Sequence, residues 1–146
     1  MKFAGTYEAS KLKTMKSTLI APCGMNCRMC YAYIRDKMAC PGCYGNSDLK
    51  AKSTASCRIK NCRVLETGKF KYCFECEYYP CSRIQHLNKR YITKYGMSMI
   101  ANLETIKQFG IRNFIKREKE RWKCSNCGEI LCVHSEKCIF CGHKWR

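Results

Sequence analysis

The stretch CSNCGEILCVHSEKCIFCG, residues 124–142, contains two Cys-x-x-Cys pairs that are separated by ten residues. Such pairs are typical of a zinc ribbon, in which two short turns aim four thiolates at one tetrahedral ion. A glycine, Gly128 or Gly142, follows each pair, and a residue that is free to adopt positive φ lets each turn tighten. The pattern therefore predicts a structural zinc site. Its four ligands are Cys124, Cys127, Cys138 and Cys141.

A fifth cysteine and a histidine, Cys132 and His134, lie in the connection between the two pairs. Because this connection must run out and back as a short hairpin, both side chains are expected to lie away from the two turns. We predict that they pack beneath the site or support its ligands. A reactive thiol at Cys132, paired with His134, is the alternative.

The composition indicates that metal ions, rather than a large apolar core, hold this chain together. Leu, Ile, Val and Phe make up 26 of its 146 residues, below the roughly 20% under which a highly charged chain usually stays disordered. The 15 cysteines supply the compensation. Five Cys-x-x-Cys pairs recur along the chain, and this recurrence favours metal ligation.

Cysteine usage also bears on the cellular compartment. The first residues contain no apolar segment of a secretory signal, and no uncharged run approaches the roughly 18 residues of a membrane span. We therefore expect a soluble, cytoplasmic protein. Because cytosolic thiols are kept reduced, and an odd number of cysteines fits complete disulfide pairing poorly, zinc ligation is preferred, with about three ions in the chain.

The other cysteines form two further sets with similar spacing, and we predict metal ligation for all their members. The second set is Cys27, Cys30, Cys40 and Cys43, and the third is Cys57, Cys62, Cys73 and Cys76. Cys23 or Cys81 can replace a member of either set. An iron–sulfur cluster, ligated partly by Cys23, Cys27 and Cys30, is the alternative occupant of this part of the chain.

Helical periodicity replaces the cysteines between Cys81 and Cys124. One predicted helical face consists of Ile84, Leu87, Tyr91 and Tyr95, and Gly96 can end that helix. Ser98 is the predicted N-cap of a second helix, which Gly110 ends. A third helix is predicted to begin near Asn113.

These observations predict a small metal-stabilised α+β fold with four segments. Residues 1–17 form a flexible basic arm, and residues 18–81 form a cysteine-rich metal-binding lobe with little regular structure. Residues 82–122 form the helical segment. Residues 123–146 form the zinc ribbon.

The order IAPCGMNCRMCYAYI, then CPGC, then two single cysteines, then YCFECEYYPC, resembles the cysteine-rich family known as domain of unknown function 3795. The remainder, with its C-terminal ribbon, looks like an extension found in longer members. The resemblance implies no activity, because the family has no settled one. It implies that ten cysteines form one constellation: Cys23, Cys27, Cys30, Cys40, Cys43, Cys57, Cys62, Cys73, Cys76 and Cys81.

The charge predicts the kind of partner. The formal net charge is +17, and three tetrathiolate zinc sites of net charge about −2 each would still leave about +11. A chain this basic should accumulate near polyanions, so nucleic acid or an acidic protein is the expected partner, with no membrane role. Tyr72, Phe74 and Trp145 interleave with the charge and could stack on unpaired bases.

We therefore predict a non-enzymatic metal-binding protein that binds nucleic acid or an acidic partner. A small iron–sulfur redox protein that uses the N-terminal cysteines is the alternative. Catalytic zinc usually keeps a position for water and favours His or carboxylate ligands, whereas these all-cysteine sets indicate closed sites. A Cys81 thiol activated by His86 is the remaining enzymatic possibility.

Overall fold

The computed structural model describes residues 15–146. The helical elements of their first half, up to Cys81, are all short turns. Three of them are single α-helical turns, α1 (Tyr31–Ile34), α2 (Lys52–Ala55) and α3 (Arg63–Glu66). Four more are 3-10 turns, at Ser17–Leu19, Cys27–Met29, Ser47–Leu49 and Cys73–Glu75. The lobe therefore has little regular structure, as its closely spaced cysteines and glycines predict.

Three longer helices follow: α4 (Ser82–Tyr95), α5 (Met99–Phe109) and α6 (Ile111–Arg121). Gly96 ends α4 in the left-handed conformation, with φ of 67°, and its N–H donates to the Ile92 carbonyl. The Ser98 hydroxyl accepts a hydrogen bond from the Ala101 N–H, at 3.0 Å, and so caps α5. The sequence prediction of both helices is confirmed.

The third helix begins two residues before the predicted position. Gly110, with φ of 83° and ψ of 162°, is at once the C-cap of α5 and the N-cap of α6. One glycine can fill both roles because positive φ reverses the chain direction without a steric penalty. The predicted start near Asn113 is therefore confirmed to within two residues.

The core lies where α5 meets the lobe and the other two helices. Met99, Leu103 and Ile106 of α5 are buried, and they recur at the spacing of one helical face. Ile84 of α4 and Phe114 of α6 are buried in the same cluster. These stripes are therefore core residues, as their periodicity predicts.

The lobe docks on α5 through Gly24. The Asn102 side-chain amide, which is buried in α5, donates a hydrogen bond to the Gly24 carbonyl at 3.0 Å. A Cβ atom added to Gly24 would lie 2.8 Å from the Met99 carbonyl oxygen. Gly24 also has φ of 90°, so both the contact and the backbone conformation require a residue without a side chain.

Extended structure is limited to single bridges in residues 15–146. These bridges join Ile20 to Asn26, Lys123 to Ile130, and Lys137 to Lys144. The structure confirms a small, helix-rich fold with a C-terminal cysteine cluster. It does not confirm the β component of the predicted α+β class, because the cysteine turns end each pairing after one bridge.

The first 14 residues of the predicted basic arm lie outside the described residues. At its end, Met15 is buried, and its sulfur accepts a hydrogen bond from the Asn26 side chain at 3.4 Å. No helix between residues 15 and 146 has the length and apolar character needed to cross a membrane.

Candidate metal centre

The C-terminal segment folds into two turns with equivalent backbone hydrogen bonds. In the first, the Gly128 N–H donates to the Cys124 carbonyl, and in the second, the Gly142 N–H donates to the Cys138 carbonyl, both at 2.9 Å. Both glycines have positive φ, of 78° and 77° respectively. Each turn therefore needs its glycine, because an L-residue rarely adopts that conformation.

The two turns bring four thiols together. The sulfur atoms of Cys124 and Cys141 lie 3.8 Å apart, and those of Cys127 and Cys138 lie 3.6 Å apart. All four sulfurs lie within 4.8 Å of one another. Four sulfurs at about 2.3 Å from a tetrahedral zinc ion stand roughly 3.8 Å apart, so the site has the dimensions of a closed tetrathiolate centre.

Burial differs within the site. Cys124 and Cys138 are buried, whereas Cys127 and Cys141 are exposed. Burial raises the pKa of the Cys138 thiol to about 12. Hydrogen bonds from the Asn126 side chain and the His143 backbone lower the pKa of Cys141. The Cys141 thiol therefore ionises more readily than the Cys138 thiol, and a bound cation would favour loss of the Cys138 proton.

The structure does not gather the lobe cysteines in the same way. The ribbon quartet is the one group of three or more Cys, His, Asp or Glu side chains drawn to such short mutual distances in residues 15–146. The lobe thiols are nevertheless neighbours. Burial raises the pKa of Cys27 to about 12, and the adjacent thiols of Cys43, Cys30 and Cys40 oppose its ionisation further.

The predicted second set therefore lies in one region. Burial raises the pKa of Cys23, and the nearby thiols of Cys43, Cys73 and Cys27 oppose its ionisation further, so Cys23 adjoins both this set and the third. Cys57 is likewise a neighbour of both Cys43 and Cys73. The two sets thus adjoin each other, and ligation by these cysteines stays a prediction.

One cavity is lined by four thiols, three from the third set and one from Cys81. They belong to Cys62, Cys73, Cys76 and Cys81. His86 does not share this cavity, since it lines a separate groove with Pro80 and Gln85. The arrangement thus gives no support to the idea that His86 activates Cys81.

Cys132 and His134 pack as the hairpin geometry predicts. Cys132 is fully buried against Ile34 and Ile139, and burial raises the pKa of its thiol to about 11. A buried thiol of high pKa is a poor nucleophile. The structure therefore favours the packing role over the reactive-thiol alternative.

His134 joins the ribbon to the rest of the protein, a role that the sequence did not reveal. Its Nδ1 accepts a hydrogen bond from the Tyr31 backbone N–H at 3.2 Å, and its Nε2 lies 3.0 Å from the Tyr91 hydroxyl. Its ring also meets the Tyr95 ring edge to face, at 4.8 Å between centroids. Because Nδ1 accepts, the bound imidazole is the neutral Nε2–H tautomer.

The His134 contacts predict a pH dependence of stability. Burial, and then the nearby charge of Arg146, lower the pKa of His134 below its ordinary value of about 6.5. The unfolded chain therefore binds this proton more readily than the folded one, so the stabilisation is complete above about pH 6.5 and is lost as the pH falls below it.

We expect wild type to be more stable than His134→Gln at neutral pH, and the difference in free energy of unfolding to shrink towards pH 5. Urea titrations of both proteins, loaded with the same metal ion, across this range measure it. Since acid also releases any metal ion bound by thiolates from both proteins, the comparison between them isolates the histidine. A difference that stays constant with pH would contradict the assignment of a neutral His134.

Comparison with known proteins adds one finding. A family model described as "Protein of unknown function (DUF3795)" matches residues 19–86. No curated protein and no solved structure matches the chain. The matched segment contains the ten lobe cysteines that carried the resemblance in the sequence, whereas the helices after His86 and the ribbon lie outside it. This cysteine-rich chain is therefore similar, over fewer than half of its 146 residues, to a family without a known function.

Proposed function

We propose that this protein is a non-enzymatic zinc protein that binds nucleic acid through a basic surface beside its C-terminal metal centre. The observation that carries the proposal is a row of exposed basic side chains on α6. This row, the basic stripe, consists of Arg112, Lys116, Lys119 and Lys123.

The helical register explains the stripe. Arg112, Lys116 and Lys119 follow one another at spacings of four and three residues, which places them on one side of α6. Phe114 and Glu118 are buried on another side of the helix. Lys123 extends the row into the ribbon, immediately before the ligand residue Cys124. The stripe is therefore held in place by the core on one side and by the metal centre at its end.

Other cations of α6 are engaged differently. The Arg117 guanidinium lies over the Phe109 ring, at 3.9 Å from its centroid. The Arg121 guanidinium lies over the Trp122 ring, at 4.6 Å. Cation–π contacts of this kind hold a side chain against the protein while leaving its charge near the surface. These two residues add positive potential, and the stripe supplies the extended side chains that reach phosphates.

Base stacking has less support than phosphate contact. Tyr72 is buried and stacks on Phe74 within the protein, at 5.5 Å between ring centroids. Trp145 packs edge to face against Trp122, at 5.9 Å. Because these aromatic faces already have partners, the proposal is limited to contact with the phosphate backbone, which carries no sequence information.

Removing the stripe should weaken binding and make it less sensitive to salt. We expect the triple variant Arg112→Gln, Lys116→Gln and Lys119→Gln to reduce the slope of log K against log salt by about 3, since each lost phosphate contact on duplex DNA removes roughly 0.9. Fluorescence anisotropy with labelled duplex DNA and single-stranded RNA, over a series of salt concentrations, measures the slope.

A matched control removes the same charge elsewhere. Lys52, Arg63 and Lys69 are exposed residues of the lobe, and their Gln variant loses two lysines and one arginine, as the stripe variant does. We expect its slope to stay near that of wild type. Equal slopes for the two variants would refute the stripe as the binding surface. Binding of polyglutamate but of neither nucleic acid would instead identify an acidic protein as the partner class.

A small iron–sulfur redox protein is the second candidate function. The observation that favours it is the spacing of the lobe thiols, which adjoin one another without the close approach of the ribbon quartet. An iron–sulfur cluster needs cysteine ligands and tolerates wider separations than a single ion does. Visible absorption and iron content of protein purified without oxygen test this candidate, and colourless protein that contains zinc alone would exclude it.

A further inference from the structure

A small cavity lies in the lobe, next to α3 and the beginning of α4. Its volume is about 40 Å³, whereas one water molecule needs roughly 10–15 Å³. Its walls are mainly apolar, with Ile59, Leu65 and Ile84 among them. Four thiols line it, and they belong to Cys62, Cys73, Cys76 and Cys81. The cavity thus combines space for more than one atom with four soft ligands.

Local structure brings these four thiols to one place. Cys73 begins the 3-10 turn Cys73–Glu75, and Cys76 ends it, so both side chains come from one tight turn. Cys62 immediately precedes α3, and Cys81 immediately precedes α4. Cys81 is the N-cap residue of the 14-residue helix α4, and the positive end of a helix dipole favours nearby negative charge.

Two further groups compensate for negative charge at this place. The Tyr78 backbone N–H donates a hydrogen bond to the Cys76 sulfur at 3.4 Å, and N–H donors to sulfur are a feature of ligated thiolates. Arg83 also lines the cavity and is fixed by a hydrogen bond from its Nη1 to the Arg58 carbonyl at 3.0 Å. A tetrathiolate centre is anionic, so both contacts favour it over four neutral thiols.

The spacing of the thiols distinguishes the kind of cation. A zinc ion requires sulfur atoms roughly 3.8 Å apart, and the ribbon quartet meets that requirement. Within the part of the chain that the structure describes, the cavity quartet is not drawn together in that way. A cluster of several irons and sulfides keeps its ligands further apart and fills the space between them.

We propose that this cavity binds an iron–sulfur cluster, with Cys62, Cys73, Cys76 and Cys81 as its four ligands. The four ligands are inferred from the residues that line the cavity. The identity of the cluster rests on the second candidate function. Cys81 thereby takes the place that the sequence spacing gave to Cys57, which is not among the residues lining the cavity. The ribbon zinc and the basic stripe are independent of this site.

The proposed ligand set contains Cys81, whereas the sequence spacing favoured Cys57. Two matched variants can distinguish these sets. Cys81→Ala and Cys57→Ala each remove one half-buried lobe thiol. Both proteins are reconstituted without oxygen with sulfide and equal amounts of ferric and ferrous iron, so that no further oxidant is needed. They are then alkylated with iodoacetamide, and the modified cysteines are mapped by mass spectrometry. Cys138, in the ribbon, serves as the internal reference for a folded, zinc-loaded protein.

In Cys81→Ala we expect Cys62, Cys73 and Cys76 to become alkylated together, with the loss of one cluster equivalent of iron and sulfide. In Cys57→Ala we expect them to remain protected. Protection of the three thiols in Cys81→Ala, or their exposure in Cys57→Ala, would overturn the ligand set. If Cys138 is also alkylated in Cys81→Ala, that variant is not folded and cannot be used. Iron is then removed from the wild-type protein with a chelator instead, and the four proposed ligands must become reactive at the same rate.

The chemical nature of the occupant has its own readout. We expect iron and acid-labile sulfide in equal amounts, bound in wild type and Cys57→Ala, together with broad visible absorption that dithionite bleaches. Zinc without sulfide at these four thiols would overturn the iron–sulfur assignment. Neither result alters the zinc of the ribbon or the salt dependence of nucleic-acid binding, so failure here is distinguishable from failure of the main proposed function.

Discussion

Cys138→Ala is expected to leave the C-terminal segment without its metal and unfolded. Cys138 supplies one of the two buried sulfurs of the quartet, and its N–H donates to the His143 carbonyl at 2.8 Å within the second turn. Binding of structural zinc contributes roughly 10–16 kcal/mol in zinc-finger peptides near neutral pH. Few apolar residues of the segment are buried, among them Leu131, Val133 and Ile139, so its own apolar packing stabilises it much less than a bound ion would.

Zinc content and amide dispersion in NMR spectra measure this effect. We expect Cys138→Ala to bind one zinc equivalent fewer than wild type and to lose the dispersed signals of residues 123–146. Cys132→Ala is the matched control, because it removes a buried thiol from the same hairpin without touching the quartet. We expect it to keep the zinc and to lose about 1 kcal/mol. Equal zinc contents in the two variants would argue against the site.

Gly24→Ala is expected to separate the lobe from α5. The added Cβ would approach the Met99 carbonyl oxygen to 2.8 Å and the Leu103 side chain to 3.1 Å. Relief of this overlap would break the hydrogen bond from Asn102, whose buried amide would then lack its acceptor. Overpacking costs typically 1–3 kcal/mol and positive φ roughly 1–2 kcal/mol more, so we expect a loss of about 3 kcal/mol.

Gly68→Ala separates the two causes. Gly68 has φ of 71°, but no atom lies within 4 Å of its hypothetical Cβ. It therefore carries the backbone strain alone, and we expect a loss of about 1 kcal/mol. Urea unfolding of the metal-loaded proteins gives both values. Similar losses in the two variants would show that the close packing of Gly24 on α5 contributes little to stability.

Sequence predicted best those features that are encoded locally. The ribbon turns need a cysteine pair and a glycine within a few residues, so Cys124 to Gly128 specifies its own conformation. The helices are likewise predicted by apolar residues that recur every three or four positions, and Gly96 marks the end of α4. The start of α6 lies two residues before Asn113 because Gly110 is a cap of both α5 and α6.

Features that depend on distant contacts were not predictable in this way. The choice between Cys57 and Cys81 depends on how one-turn helices fold around a cavity, and such short helices leave no periodicity to read. His134 is 103 residues from Tyr31, so no local sequence pattern predicts the hydrogen bond between them. The importance of Gly24 likewise follows from the approach of α5, 75 residues later. Tertiary packing, rather than local propensity, decides all three.

The hydrogen bond from the Val133 N–H to the Met29 carbonyl, at 2.9 Å, has a consequence for biosynthesis. At roughly 5–20 residues per second, a ribosome makes the 104 residues between the two partners in about 5–20 seconds. Throughout that interval Cys27 and Cys30, which flank Met29, await the hairpin that completes their surroundings. Until the hairpin is made, these thiols lack that cover, so their oxidation during this interval would compete with folding.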